Sequence, residues 1–130
     1  MSMPKNFYAL LVEPEQTPRA ICLKGGKNGL RSLQEAVGGY VEAVYPFDDP
    51  VAVICNEEGK LNGLPLNRAL RDEDGDVYDI ISGSFLVVGL SDDDFDSLSP
   101  ELLVRYAVEF AIPEMFRMSP SGGIQVCRMR

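Results

Sequence analysis

The chain contains no histidine. That absence excludes a Ser-His-Asp triad, a Cys-His pair and any imidazole ligand to a metal, and it removes the commonest general base near neutral pH. Cysteine is scarce: Cys22, Cys55 and Cys127 are odd in number and lack CxxC spacing, so neither a disulfide framework nor a structural zinc site is indicated. Each lies in or beside a predicted strand and reads as a reduced, small buried hydrophobe. Long apolar runs are missing as well, the uninterrupted stretches falling far short of the roughly 18 to 20 residues of a membrane helix. Met1 to Leu10 lacks a charged stretch followed by a long apolar core and a small-residue cleavage site, which predicts a cytoplasmic protein rather than a secreted one.

What is present is enough for one domain: 130 residues, 45% hydrophobic and 25% charged. The formal charge is −8, and its distribution matters more than its sum. Ten acids and no Lys or Arg lie between Asp72 and Glu101 (Asp72, Glu73, Asp74, Asp76, Asp79, Asp92, Asp93, Asp94, Asp96 and Glu101). The rest of the chain is nearly balanced. A nonspecific phosphate-backbone site needs a basic face, so direct nucleic-acid binding is not expected.

Phe7 to Val12 is a continuous apolar run closed by Pro14 and predicts a buried strand, with Arg19 to Leu23 a second. Leu30, Leu33 and Val37 recur at helical spacing before Gly38 and Gly39 offer a left-handed cap. Val41 to Tyr45, Val51 to Cys55, Val77 to Ile81 and Phe85 to Leu90 read as further strands. The turn residues of Asn56 to Gly59 and of Asp74-Gly75 suggest antiparallel neighbours. Ser99-Pro100-Glu101 is a helix start, and Leu102, Leu103, Tyr106, Ala107 and Phe110 share one face of a helix that Pro113 ends. The order predicts an α+β fold, a mostly antiparallel sheet with a short helix and a longer C-terminal helix packed on one face. Residues 1–112 form the domain, and 113–130 a C-terminal tail. In that tail Ile124 to Met129 alternates like an added edge strand, of its own sheet or of a neighbouring copy, which would make a homo-oligomer.

Several motifs approach known chemistry without reaching it. Lys24 to Gly29 places two ammonium groups and free backbone N–H groups before a helix, but it has neither the phosphate-loop nor the dinucleotide spacing and reads as a connecting loop. Asp72, Asp74 and Asp76, like Asp92, Asp94 and Asp96, imitate the opening of a calcium loop. Val77 and Ser97 stand where that loop requires glycine, and no metal site is assigned. The segment of greatest interest is Asn62 to Arg71. Asn62, Asn67, Arg68 and Arg71 offer amides and guanidinium groups from what reads as a Pro-stiffened loop, with Tyr45 and Phe47 as aromatic neighbours.

Three segments in order, Leu33-Gln34-Glu35-Ala36-Val37-Gly38-Gly39-Tyr40, then Asn56-Glu57-Glu58-Gly59-Lys60-Leu61-Asn62-Gly63-Leu64-Pro65-Leu66-Asn67, then Ile81-Ser82-Gly83-Ser84-Phe85-Leu86-Val87-Val88-Gly89, resemble the domain of unknown function 3846 family. The resemblance runs from about Phe7 to Leu103 and implies an accessory intracellular protein of bacteria, phages or mobile elements. It supplies no catalytic residues and no cofactor.

The leading expectation is therefore a non-enzymatic binding module that grips a host protein or a small ligand through the Asn/Arg segment and its aromatics. One alternative is an acidic nucleic-acid mimic that occupies a basic host protein. The other is a carboxylate-based hydrolase, which would need two acids across a cleft, one of raised pKa.

Overall fold

The computed structural model describes residues 3–92 and 94–129, so Asp93 of the acidic stretch, Arg130 of the tail and the first two residues lie outside the described residues. Three apolar strands form its centre: β1 (Asn6–Val12), β4 (Val51–Asn56) and β7 (Phe85–Leu90). With β2 (Arg19–Lys24) and β3 (Val41–Val44) they make an antiparallel sheet of order β2-β1-β7-β4-β3, and the short β8 (Phe95–Asp96) pairs with the end of β7. Two antiparallel hairpins stand apart from this sheet, β5 (Leu66–Arg71) with β6 (Val77–Ser82), and β9 (Glu114–Met118) with β10 (Ile124–Arg128). Among the described residues no helix is long and apolar enough to cross a membrane.

Side-chain alternation sorts the core into two layers. Phe7, Ala9 and Leu11 of β1 join Ala52, Ile54, Leu86 and Val88 on one face, where α1 (Gly29–Val37) covers them with Leu33 and Val37. Leu10, Val12, Val51, Val53, Phe85 and Val87 face the other way, under Tyr106 and Phe110 of α2 (Pro100–Glu109) and its C-cap. Leu70 and Ile81 of the β5–β6 hairpin complete that second layer.

The helices thus cover opposite faces, which corrects the expectation that both lie on one. The physical reason is in the central strands themselves. A strand whose successive residues are all apolar buries both its sides, and each side needs a cover. The structure is α+β with a mostly antiparallel sheet and two short helices; α2 spans 10 residues and α1 9, so the two are nearly equal rather than the short and longer pair expected. It starts where the sequence indicates, Ser99 Oγ accepting from the Leu102 N–H at 3.3 Å with Pro100 in the first turn, and it stops at Glu109. Gly38 closes α1 at φ 78°, a left-handed conformation that glycine adopts freely.

Two other expectations change. Asn56 to Gly59 does not join paired strands, since β4 pairs with β3 and β7 while β5 pairs with β6. Instead Asn56 sends its amide to the Val37 carbonyl at 3.1 Å and accepts from the Glu58 N–H at 2.8 Å, tying the end of α1 to the turn. In the tail, Ile124–Arg128 is a strand, but its partner is β9 rather than the main sheet.

Candidate functional site

Asn67 and Arg68, expected on a loop, lie in β5 and are among the most buried residues, at 0% and 1% exposure. The ladder explains how two successive residues both turn inward. Leu66 pairs with Ser82 and Arg68 with Ile81, leaving Asn67 as the extra residue of a bulge. Asn67 donates to the Val12 and Gly83 carbonyls, each at 2.9 Å. Arg68 donates to the Phe110 carbonyl at 3.0 and 3.2 Å, to the Gln16 carbonyl at 2.6 Å and to Asn67 Oδ1 at 2.8 Å. Burial lowers the Arg68 pKa, and Glu114 nearby opposes that shift. Glu114 is itself 4% exposed; it accepts from the Ala69 N–H at 2.8 Å and from Arg71 at 2.6 Å. These residues are a polar core that pins β1, β5, β9 and the end of α2 together, and their donors point inward.

A second bulge does the opposite. Leu70 pairs with Asp79 and Arg71 with Val77, so Tyr78 is the extra residue, and it stands 55% exposed. It lines an open groove of about 710 Å³ together with Phe47, Arg71, Asp48, Glu109 and the Asp72–Gly75 turn. Of the six candidate binding residues (Asn62, Asn67, Arg68, Arg71, Tyr45 and Phe47), this groove brings together Phe47 and Arg71. Tyr45 is exposed on the segment leading to it, and Asn62 lies exposed in the turn after β4.

The groove's far wall is braced by packing and hydrogen bonds. Phe47 packs on Tyr106 at 4.6 Å between ring centroids and on Phe110 at 6.1 Å. Asp49 Oδ2 accepts from the Tyr106 hydroxyl and from Arg105, both at 2.6 Å. The Tyr106 hydrogen bond, followed by Arg105, holds the Asp49 carboxyl below its usual range. Burial, then Asp49, pushes the Tyr106 hydroxyl upward. A hydrolytic general acid needs the reverse of the Asp49 shift.

The strands flanking the groove continue into a smaller cleft of about 130 Å³, where Val44 succeeds to Phe47, Leu70 to Arg71, and Asp79 to Ser82 succeed to Tyr78. Lys60 and Asp79 join at 2.6 Å among its exposed residues. Cys55 lies deeper, its thiol directed to the Glu42 carbonyl at 3.7 Å and pushed up to about 11, by burial first and then by Glu42 and Asp79. Cys22 and Cys127, expected to be buried like Cys55, are exposed: Cys22 alternates with Ile21 and Leu23, which pack toward the α1 layer, and so faces away from it, while β10 is exposed along most of its length.

Asp72, Asp74 and Asp76 bring one oxygen each within 4.8 Å of one another. Asp72 Oδ1 is occupied by the N–H groups of Asp74 and Asp76, at 2.9 and 3.0 Å, as a turn residue.

Residues missed by sequence reasoning are Tyr78, Glu114 and Ser82. Nothing in a single sequence marks a bulge, and Glu114 finds its strand partners 43 and 45 positions away.

Among known families, the model described as "Domain of unknown function (DUF3846)" matches residues 5–111. No curated protein and no solved structure matches the chain.

Proposed function

The chain belongs to the DUF3846 family, and from that premise we propose that it is a non-enzymatic binding module, an accessory protein of a phage or mobile element, that holds a basic segment of a host protein in the Tyr78 groove. The observation that carries this reading is the bulge at Tyr78, which turns an aromatic ring outward beside Phe47 and Arg71 within a rim of carboxylates. Exposed aromatics supply apolar area and a face for cation–π contact with Lys or Arg, and Asp48, Asp72, Glu73, Asp74 and Glu109 supply the opposite charge. Because Phe47 and Arg71 are already fixed by α2 and Glu114, little ordering accompanies binding.

The test uses a labelled Arg-rich peptide, read by fluorescence anisotropy over a range of salt. Affinity should fall as salt rises and should drop about tenfold with Glu73→Lys plus Asp74→Lys, since complementary charge sets much of such association. The same reversal at Asp92 and Asp94 should change little. A nucleic-acid mimic would engage both acidic turns, so equal losses from the two double variants would favour mimicry over the groove, and salt-insensitive binding would remove both.

A further inference from the structure

We propose that the cleft beside the groove is a second binding site, for a small aliphatic amine that carries a neutral hydrogen-bonding group at its far end. It stands on different residues from the groove and does not depend on the peptide reading.

The first observation is Ser82. Its residue is 5% exposed and it lines the cleft, yet its Oγ is a fully buried polar atom with no hydrogen-bond partner, the one such atom among the described residues. Buried hydroxyls are otherwise paired in folded proteins, because leaving one unmade is unfavourable; rotation of this hydroxyl toward the cleft that its residue lines lets a ligand group pair with it and relieves that penalty. The polar core at Arg68 shows how thoroughly the rest of this interior is satisfied.

The second observation is size and lining. About 130 Å³ is close to the volume of a cavity that holds benzene, so the ligand has on the order of six non-hydrogen atoms. Val44, Leu70 and Ile81 give the cleft apolar walls that suit a short methylene chain.

The third is charge. Glu42, Glu57 and Asp79 line the cleft against one base, Lys60, which already pairs with Asp79. An anion is repelled there. An ammonium left among these carboxylates stays partly hydrated, while the uncharged end of the same molecule reaches Ser82 and avoids the penalty of burying a charge. The two requirements together define an amino alcohol or amino amide of about four carbons.

The experiment titrates the full chain with 4-aminobutan-1-ol, n-butylamine and 4-hydroxybutyrate, following the amide signals of Cys55, Ile81 and Ser82 by NMR. The amino alcohol should bind in the millimolar range, butylamine about tenfold more weakly for want of the Ser82 hydrogen bond, and the anion not measurably. In Ser82→Ala the difference between the two amines should vanish while the melting temperature stays level or rises. Glu42→Gln, a change at an exposed position, should weaken both amines together. The proposal is overturned if the anion binds as well as the amines, if the preference for the amino alcohol survives in Ser82→Ala, or if none of the three compounds moves the cleft signals. It is also overturned if Ser82→Ala lowers the melting temperature with no amine bound, for the cleft then holds only a structural water.

Discussion

Arg68 and Arg71 stand three residues apart in β5, and they do different work. Arg68 is enclosed and spends its guanidinium on main-chain carbonyls from α2 and the Gln16 loop, whereas Arg71 is half-buried, held by Glu114, and forms part of an open groove. Two bulges in one hairpin separate them, the first turning Asn67 and Arg68 toward the core and the second turning Tyr78 toward solvent. A polar residue's role here follows from its ladder position rather than from its chemistry.

The largest effect should come from Arg68→Ala. Removing it leaves the Phe110 and Gln16 carbonyls and Asn67 Oδ1 without their donor, and urea unfolding should show a loss of about 3–5 kcal/mol. Arg68→Lys should rescue only part of that loss, since an ammonium cannot reproduce the planar fork. Stability close to wild type in Arg68→Ala would erase the contrast with Arg71.

Next is Glu114→Gln, which keeps an acceptor for the Ala69 N–H and removes the charge opposite Arg71. A loss of about 1–3 kcal/mol is expected, smaller than for Arg68 because one hydrogen bond survives. It also bears on the C-terminal segment. If the β9–β10 hairpin is anchored through Glu114, hydrogen exchange in β9 should quicken in this variant before exchange in β4 or β7 changes.

The groove's far wall has a pH signature. The Asp49 carboxyl lies below its ordinary value of 3.8 because of Tyr106 first and Arg105 second. Its folded pKa is therefore lower than its unfolded one, so the stabilisation is complete above about pH 4 and is lost as pH falls through the folded value. Asp49→Asn should remove that part of the acid limb, leaving a flatter stability curve below pH 4 with a lower plateau above it. An unchanged acid limb would place Phe47 on a wall held by packing alone.

Much of the scaffold is legible in the residues. Continuous apolar runs at Phe7–Val12, Val51–Cys55 and Phe85–Leu90 mark the central strands, and Gly38 and Ser99 mark helix ends by well-understood local chemistry. The opposite placement of α1 and α2 follows from the same runs once both sides of each strand are required to be covered. The site was less legible. Asn67 and Arg68 read as loop because polar side chains in a Pro- and Gly-bounded segment usually face water, and their acceptors in Val12, Gln16 and Phe110 come from distant parts of the chain. Tyr78 looked like any strand aromatic, since a bulge depends on how two strands register.

The smallest stability effect is expected at Tyr78. Replacing this exposed ring with Ala should move unfolding free energy by no more than about 0.5 kcal/mol, while peptide affinity falls severalfold. A large stability loss with unchanged affinity would exchange the roles assigned to the two bulges.

The most direct test of the contrast is a map of amide shifts on the wild-type chain during titration with the Arg-rich peptide. Signals of Phe47, Asp48, Gly75 and Tyr78 should move first and saturate together, while those of Asn67 and Arg68, and of the Lys24 to Asn28 loop, stay in place. Uniform small movements over the whole surface, or movements centred on the Lys24 to Asn28 loop, would contradict the assignment of the Tyr78 groove as the binding face.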